Sequence, residues 1–276
     1  LILALALAAA ISYGAADFLG GFASRKASPA LVVFASQVVG LALLFAALAF
    51  VPGRLYLPDM WWGVGAGLSG ALAIGALYAA LARGRMGVVS PITAAVGAAL
   101  PVCFGLATGE RPHLAALAGI AFAFAAVFLV SISPDTGRFS PRAPGVGLAL
   151  VSGAGIGALY IFLSRGHADG GLWLLVPTRL TSIAALGVFM LVRGASITVS
   201  NRVYAMIAAS GAFDMGANML FVLASHGGML AIVAIITSLY PASTVILARI
   251  VLDERLSKVQ WAGVAAAAAG VVLIAI

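Results

Sequence analysis

Three ionisable side chains sit where the surrounding sequence offers them no water. Asp17 lies in SYGAADFLGG, Arg179 in LLVPTRLTSIAAL and Asp214 in GAFDMGAN, each inside a long apolar run. A guanidinium and a carboxylate at matching depth in successive runs can neutralise one another as a structural pair. Either can instead bind the charged end of a small molecule, and the two readings merge if the pair lines a cavity. Asn218 follows Asp214 by four residues, so the two share a helix face. Asp17 is shallower. It reads either as exposed at a helix end or as facing a vestibule, and Ser12 and Tyr13 make its face polar. Gln37, Tyr78, Tyr160 and Tyr240 complete the candidates for a cavity wall, Tyr13 included. A proton could ride on Asp17 or Asp214 as coupling ion, whereas a facilitator needs no such group.

Other chemistries find no support. H-E-x-x-H, G-x-S-x-G and Walker A patterns are absent. GAGLSG at 65–70 matches G-x-G-x-x-G literally, but a dinucleotide site needs that motif between a strand and a helix, and here it lies within one apolar run. His113, His167 and His226 sit in separate breaks, as solvated loop histidines would. No catalytic residue, metal or cofactor is implied. Cys103 is the single cysteine, which excludes an internal disulfide and fits a small packing residue.

The elements that hold these residues follow from composition. Of 276 residues, 63% are hydrophobic and 8% charged, where a soluble domain carries about 25% charged residues. Such a chain belongs in a bilayer. The net charge of +7 falls in short connections, which suits lipid headgroups; no basic stripe interleaved with aromatics marks a nucleic-acid surface. Apolar runs and polar breaks predict ten transmembrane helices, at 2–23, 30–51, 60–82, 87–107, 113–132, 144–164, 171–192, 202–224, 229–250 and 257–276. The opening LILALALAAA reads as the first span, with a few residues missing before it, rather than a signal peptide, because apolar residues continue to Phe22. The period-2 alternation of a membrane barrel is absent.

The longest break, 133–143, divides the chain into 1–132 and 144–276. TGERPHLAALAGIAFAFAAVFLV resembles LDERLSKVQWAGVAAAAAGVVLI at an offset of 144, pairing Glu110 with Glu254, Arg111 with Arg255 and Gly119 with Gly263. SRKASPALVVFASQ resembles SRGHADGGLWLLVPTR, which pairs Gln37 with Arg179 across a small gap. Two halves of five spans must enter the bilayer from opposite sides, the inverted repeat of many secondary transporters, whose substrate sites lie near the midplane between halves.

Proline and small residues suggest what moves and what packs. Pro91 and Pro101 interrupt span 4, Pro177 precedes Arg179 in span 7, and Pro241 follows Tyr240 in span 9. Each removes an N–H and frees a carbonyl, so spans 4, 7 and 9 are the expected hinge or gating elements. Ladders of small residues suit close helix approach: Ala4, Ala8, Ser12, Ala16 and Gly20 in span 1; Gly63, Gly67, Ala71, Gly75 and Ala79 in span 3; Gly145, Ala149, Gly153 and Gly157 in span 6; Ala208, Ala212 and Gly216 in span 8. Such ladders serve internal packing as well as dimer faces, so they fix no oligomeric state. Spans 5 and 10, without proline and without charge beyond Lys258 at the start of span 10, read as scaffold or contact helices.

The motifs VSPITAAVGAALPVCFGLATGERP and ITSLYPASTVILARIVLDERLSKVQWAGVAAAAAGVVLIA resemble the EamA-type repeats of the drug/metabolite transporter superfamily, over essentially the whole chain. The first departs from the pattern in that Gly97 stands where Pro241 sits in the second. Among relatives, the chain looks most like aromatic amino-acid exporters of the YddG type. The resemblance implies an all-α membrane protein of the bacterial inner membrane. It would export small metabolites, amino acids first, by alternating access; multidrug, sugar-phosphate and nucleotide-sugar carriers share the plan. A buried arginine argues against a cavity built for cationic drugs. Orientation stays open: connections after odd-numbered spans carry eleven Lys and Arg against three after even-numbered ones, which would put both termini outside, whereas the resemblance implies both inside.

Overall fold

Apolar residues without water must satisfy their backbone within each segment, and helices do this. The computed structural model describes residues 1–84, 86–130, 145–193, 199–252 and 257–275. Its helices are α1 (Ile2–Ala23), α2 (Pro29–Leu48), α3 (Leu57–Arg83), α4 (Met86–Ala107), α5 (Leu114–Val130), α6 (Val146–Ser164), α7 (Leu175–Arg193), α8 (Asn201–Gly227), α9 (Leu230–Thr237), α10 (Tyr240–Leu252) and α11 (Lys258–Ala275). Among the described residues there is no strand. Among the described residues seven segments are long and apolar enough to cross a bilayer: α1, α2, α3, α6, α7, α8 and the run Leu230–Val251. The molecule is an all-α integral membrane protein. The connection at 133–143, the Glu254–Arg255 pair and the side chain of Pro91 lie outside the described residues.

Two expected spans differ in shape. Span 9 is two helices, because the backbone leaves helical geometry at Ser238 and Leu239, and Pro241 is the second residue of α10. Span 7 starts four residues late. Gly171 takes φ +55 in a turn against the Pro52 carbonyl, and α7 begins at Leu175. Pro177 therefore lies in the first helical turn, where its missing N–H costs nothing; it starts α7 rather than kinking it.

Packing follows the small residues in part. The α3 ladder meets α7 at Gly63 and Gly67, where an added Cβ would strike Pro177 and the Thr178 carbonyl. The α6 ladder meets α4: a Cβ at Gly153 would lie 2.6 Å from Val96 Cβ, and one at Gly157 2.8 Å from Leu100 Cβ. In α8 the expected ladder is not the contact. Gly216 has nothing within 4 Å, and Gly211 is the residue pressed on the Ser36 backbone of α2. In α1, Ala4 is exposed while Ala6, Ala9 and Ala10 are buried. α5 packs along α11.

The set of helix contacts keeps its form when α1–α5 are exchanged for α6, α7, α8, α9–α10 and α11. Contact of α1 with α8 answers α3 with α6, α4 with α6 answers α1 with α9–α10, and α2 with α8 answers α3 with α7.

Carboxylates at one end of the bundle tie the two parts of the chain together. Asp59, 3% exposed in the first turn of α3, accepts from the backbone N–H of His167 at 3.1 Å and pairs with its Nδ1 at 2.7 Å, while the ring stacks on Tyr56 at 4.5 Å. His113 Nδ1 accepts from Ala116 N–H at 3.2 Å and caps α5. These two histidines are structural rather than merely solvated. Glu110, in the connection after α4, accepts from Leu230 N–H at 2.7 Å and Ala231 N–H at 2.9 Å. It caps α9 from outside that helix, satisfying two donors its first turn leaves over. Glu110→Ala is expected to lower stability by about 1–2 kcal/mol, with Glu110→Gln recovering part of it; thermal unfolding in detergent micelles measures both.

Candidate functional site

Gln37 on α2, Arg179 on α7, and Asp214 and Asn218 on α8 meet in the interior. Arg179 Nη2 donates to Asp214 Oδ2 at 2.7 Å, and Nη1 donates to Gln37 Oε1. Ser182 Oγ, one turn along α7, donates to the same Gln37 oxygen at 3.0 Å. Asn218 Nδ2 donates to the Asp214 carbonyl at 2.7 Å. Arg179 is 3% exposed and Asp214 7%, so the pair is withdrawn from solvent, and its geometry must offset a large desolvation cost. One donor is left over: Arg179 Nε is buried without a partner.

Glycine makes room for this group. Gly67 and Gly70 of α3 line a cavity of about 20 Å³ with Gln37, Arg179, Asp214 and Asn218. That is space for about one water molecule and far below a ligand pocket of about 300 Å³. The site is closed.

Rings adjoin it. Leu159 of α6 lines the cavity, and its neighbour Tyr160 stacks on Phe221 of α8 at 4.3 Å. Tyr13 of α1 stands 6.2 Å from Tyr160 and 6.4 Å from Tyr240 of α10. The hydroxyls of Tyr13 and Tyr240 are buried without partners. Buried hydroxyls are normally satisfied by protein or ordered water.

Tyr78 and Asp17 stand apart. Tyr78 Oη lies 3.0 Å from Ser210 Oγ and 3.4 Å from the Ala16 carbonyl, to which Ser210 also donates at 2.9 Å. Tyr78 thus fastens α1, α3 and α8 rather than lining the cavity. Asp17 is 4% exposed, which removes the reading of a carboxylate exposed at a helix end, and it is not among the cavity-lining residues. Of the prolines, Pro101 is buried in α4 and Pro91 falls within the same helix. Ser182, Ser210, Phe221 and Leu159 carried no signal of their own in the sequence. Ser182 could have been found from its position one turn beyond Arg179, and Phe221 from its place two turns beyond Asp214.

The family model described as the EamA-like transporter family matches residues 1–132 and 143–276. No curated protein matches the sequence. A protein known by its crystal structure shares the fold, with a TM-score of 0.76 over 98% of both chains at 17% identity.

Proposed function

The chain belongs to the EamA-like transporter family, a carrier of small molecules across a lipid bilayer and not an enzyme, and from that premise we propose that it exports amino acids, aromatic ones foremost, from the bacterial inner membrane. One observation carries the reading: a buried guanidinium–carboxylate pair with a spare Nε–H, beside clustered rings of which Tyr13 and Tyr240 have hydroxyls without partners. A zwitterion can exchange with such a pair charge for charge, its carboxylate on Arg179 and its ammonium on Asp214. An aromatic or aliphatic side chain would lie among Tyr13, Tyr160, Phe221 and Tyr240, and the orphan hydroxyls would meet any polar atom it carries.

The 20 Å³ cavity must widen to admit such a ligand. The proposed motion is alternating access between two inverted five-helix halves, ten spans in all. The exchange symmetry of the helix contacts supports that plan. The break between α9 and α10 supplies a bending point beside Tyr240.

The test is uptake by proteoliposomes of labelled phenylalanine, tryptophan, leucine and serine, alongside ethidium and a hexose phosphate. Saturable uptake that favours phenylalanine and tryptophan over serine is the expected result. Ethidium transport alone would replace the reading with multidrug efflux, and hexose-phosphate transport alone with a sugar-phosphate carrier.

A further inference from the structure

The two buried aspartates differ in one respect. Asp214 has Arg179 at 2.7 Å, and Asp17 has neither a cation nor a hydrogen-bond donor against its carboxyl group among the described residues. Yet Asp17 is the more enclosed, at 4% exposure against 7%. It lies on α1, which packs against α8, α9, α10, α3 and α2. The titratable and charged groups these helices and their neighbours turn toward it are Asp214 from α8, Tyr240 from α10, Tyr78 from α3 and Tyr160 from α6, with Tyr13 on α1 itself. α2 brings the uncharged Gln37, and Arg179 is committed to Asp214 and Gln37. Among the described residues no positive charge answers Asp17.

An isolated carboxylate in such a place would be a buried ion without compensation, which proteins avoid by neutralising the group. Intramembrane acids of this kind sit on proton routes. The neighbouring backbone gives a reason why its environment changes with conformation. The Ala16 carbonyl, one residue before Asp17, is where Tyr78 and Ser210 converge, so parting α1 from α3 and α8 opens the region around Asp17 to water.

We propose that Asp17 is the proton site of a substrate–proton exchange. The carboxyl group holds one proton in the closed, substrate-free form. It releases that proton to water when α1 parts from α3 and α8 on one side of the membrane and substrate binds; the loaded carrier crosses through a closed form with Asp17 ionised, and the carboxylate takes up another proton on the opposite side as substrate leaves. Asp214 stays paired with Arg179 and keeps the binding site. This rests on the transport reading above, and the assay separates the two.

Two measurements decide it. The first needs no substrate: the infrared C=O stretch of a protonated carboxylic acid in purified protein at neutral pH. The wild type is expected to show the band and Asp17→Asn to lack it; a band of equal strength in both, or in neither, overturns the assignment. The second compares phenylalanine uptake driven by an imposed pH gradient with counterflow at equal pH. Asp17→Asn is expected to lose gradient-driven accumulation and keep counterflow within about threefold of wild type, with Asp17→Glu retaining both. Gradient-driven accumulation that survives in Asp17→Asn overturns the proton site and leaves the transport reading standing. Absent counterflow in folded wild type overturns the substrate assignment, and the infrared comparison still decides the proton site.

Discussion

Replacing Arg179 with alanine is expected to reduce amino-acid transport by a factor of roughly 30 to 1,000, the range that follows when one partner of a buried, hydrogen-bonded charge pair is removed. Two effects combine. The substrate loses the guanidinium that would hold its carboxylate. Asp214, 7% exposed and bonded to Arg179 at 2.7 Å, becomes an unpaired buried charge, a change that costs about 3–5 kcal/mol where it has been measured in other proteins. The second effect could by itself unfold the protein, so the informative comparison is Arg179→Gln with Asp214→Asn, which removes both charges. That double variant is expected to melt near the wild type and still fail to transport. Arg179→Lys is not a rescue. Arg179 reaches Asp214 and Gln37 with two separate nitrogens of a planar fork, and an ammonium offers a single point charge. Folded Arg179→Ala protein transporting with unchanged KM and kcat would reduce the pair to a strut between α7 and α8.

Gly211→Ala carries the other large effect, on folding. A Cβ there would meet the Ser36 carbonyl oxygen and lie 2.9 Å from Ser36 Cα and 3.0 Å from its carbonyl carbon. These are backbone atoms of α2, which cannot rotate aside. Overpacking costs typically about 1–3 kcal/mol, and the rigidity of the contact puts this case at or above the upper end. The displaced helix is also the one that carries Gln37. Gly216→Ala supplies the contrast one turn and a half away. Nothing lies within 4 Å of its position, and alanine is a better helix former by about 1 kcal/mol, so it is expected to leave stability unchanged or raise it. Folded yield by size-exclusion chromatography and the thermal midpoint separate the two. Similar behaviour of both variants would mean that α2 and α8 tolerate separation at this point.

Hydropathy is a sum over a window, and what survives summation was readable in advance. The solvent, most of the helices and the burial of Arg179 and Asp214 follow from where polar residues are missing. The pairing of those two was open until distance closed it. Details set by backbone conformation were not readable. Pro241 marked span 9 for disruption and the chain does leave helical geometry in the turn before it, at Ser238 and Leu239, but that the disruption would be a complete break was not readable. Pro177 carries the same residue type and starts a helix. Asp17 was the hardest case. Its shallow place in the first apolar run suggests an exposed end, but burial depends on α8 and α10, whose residues lie more than 180 positions away. The same holds for the bonds from Asp59 to His167 and from Glu110 to Leu230, more than a hundred residues apart.

Gln37 and Arg179 occupy corresponding places in the two halves of the sequence, and they are bonded to each other. Two identical five-helix units assembled about a two-fold axis would bring one residue against its own copy at that point. Two arginines there would each keep an Asp-type partner, but would face each other as donors without the acceptor that Gln37 provides. Two glutamines would hydrogen-bond but leave the position of Asp214 without a cation. A single chain escapes the restriction, because each copy of the position is inherited separately. In the proposed two-repeat plan the bond between Arg179 and Gln37 marks broken symmetry, and the proposed site, with a charged end and an apolar end, is one that a perfectly symmetric pair could not have presented on its axis.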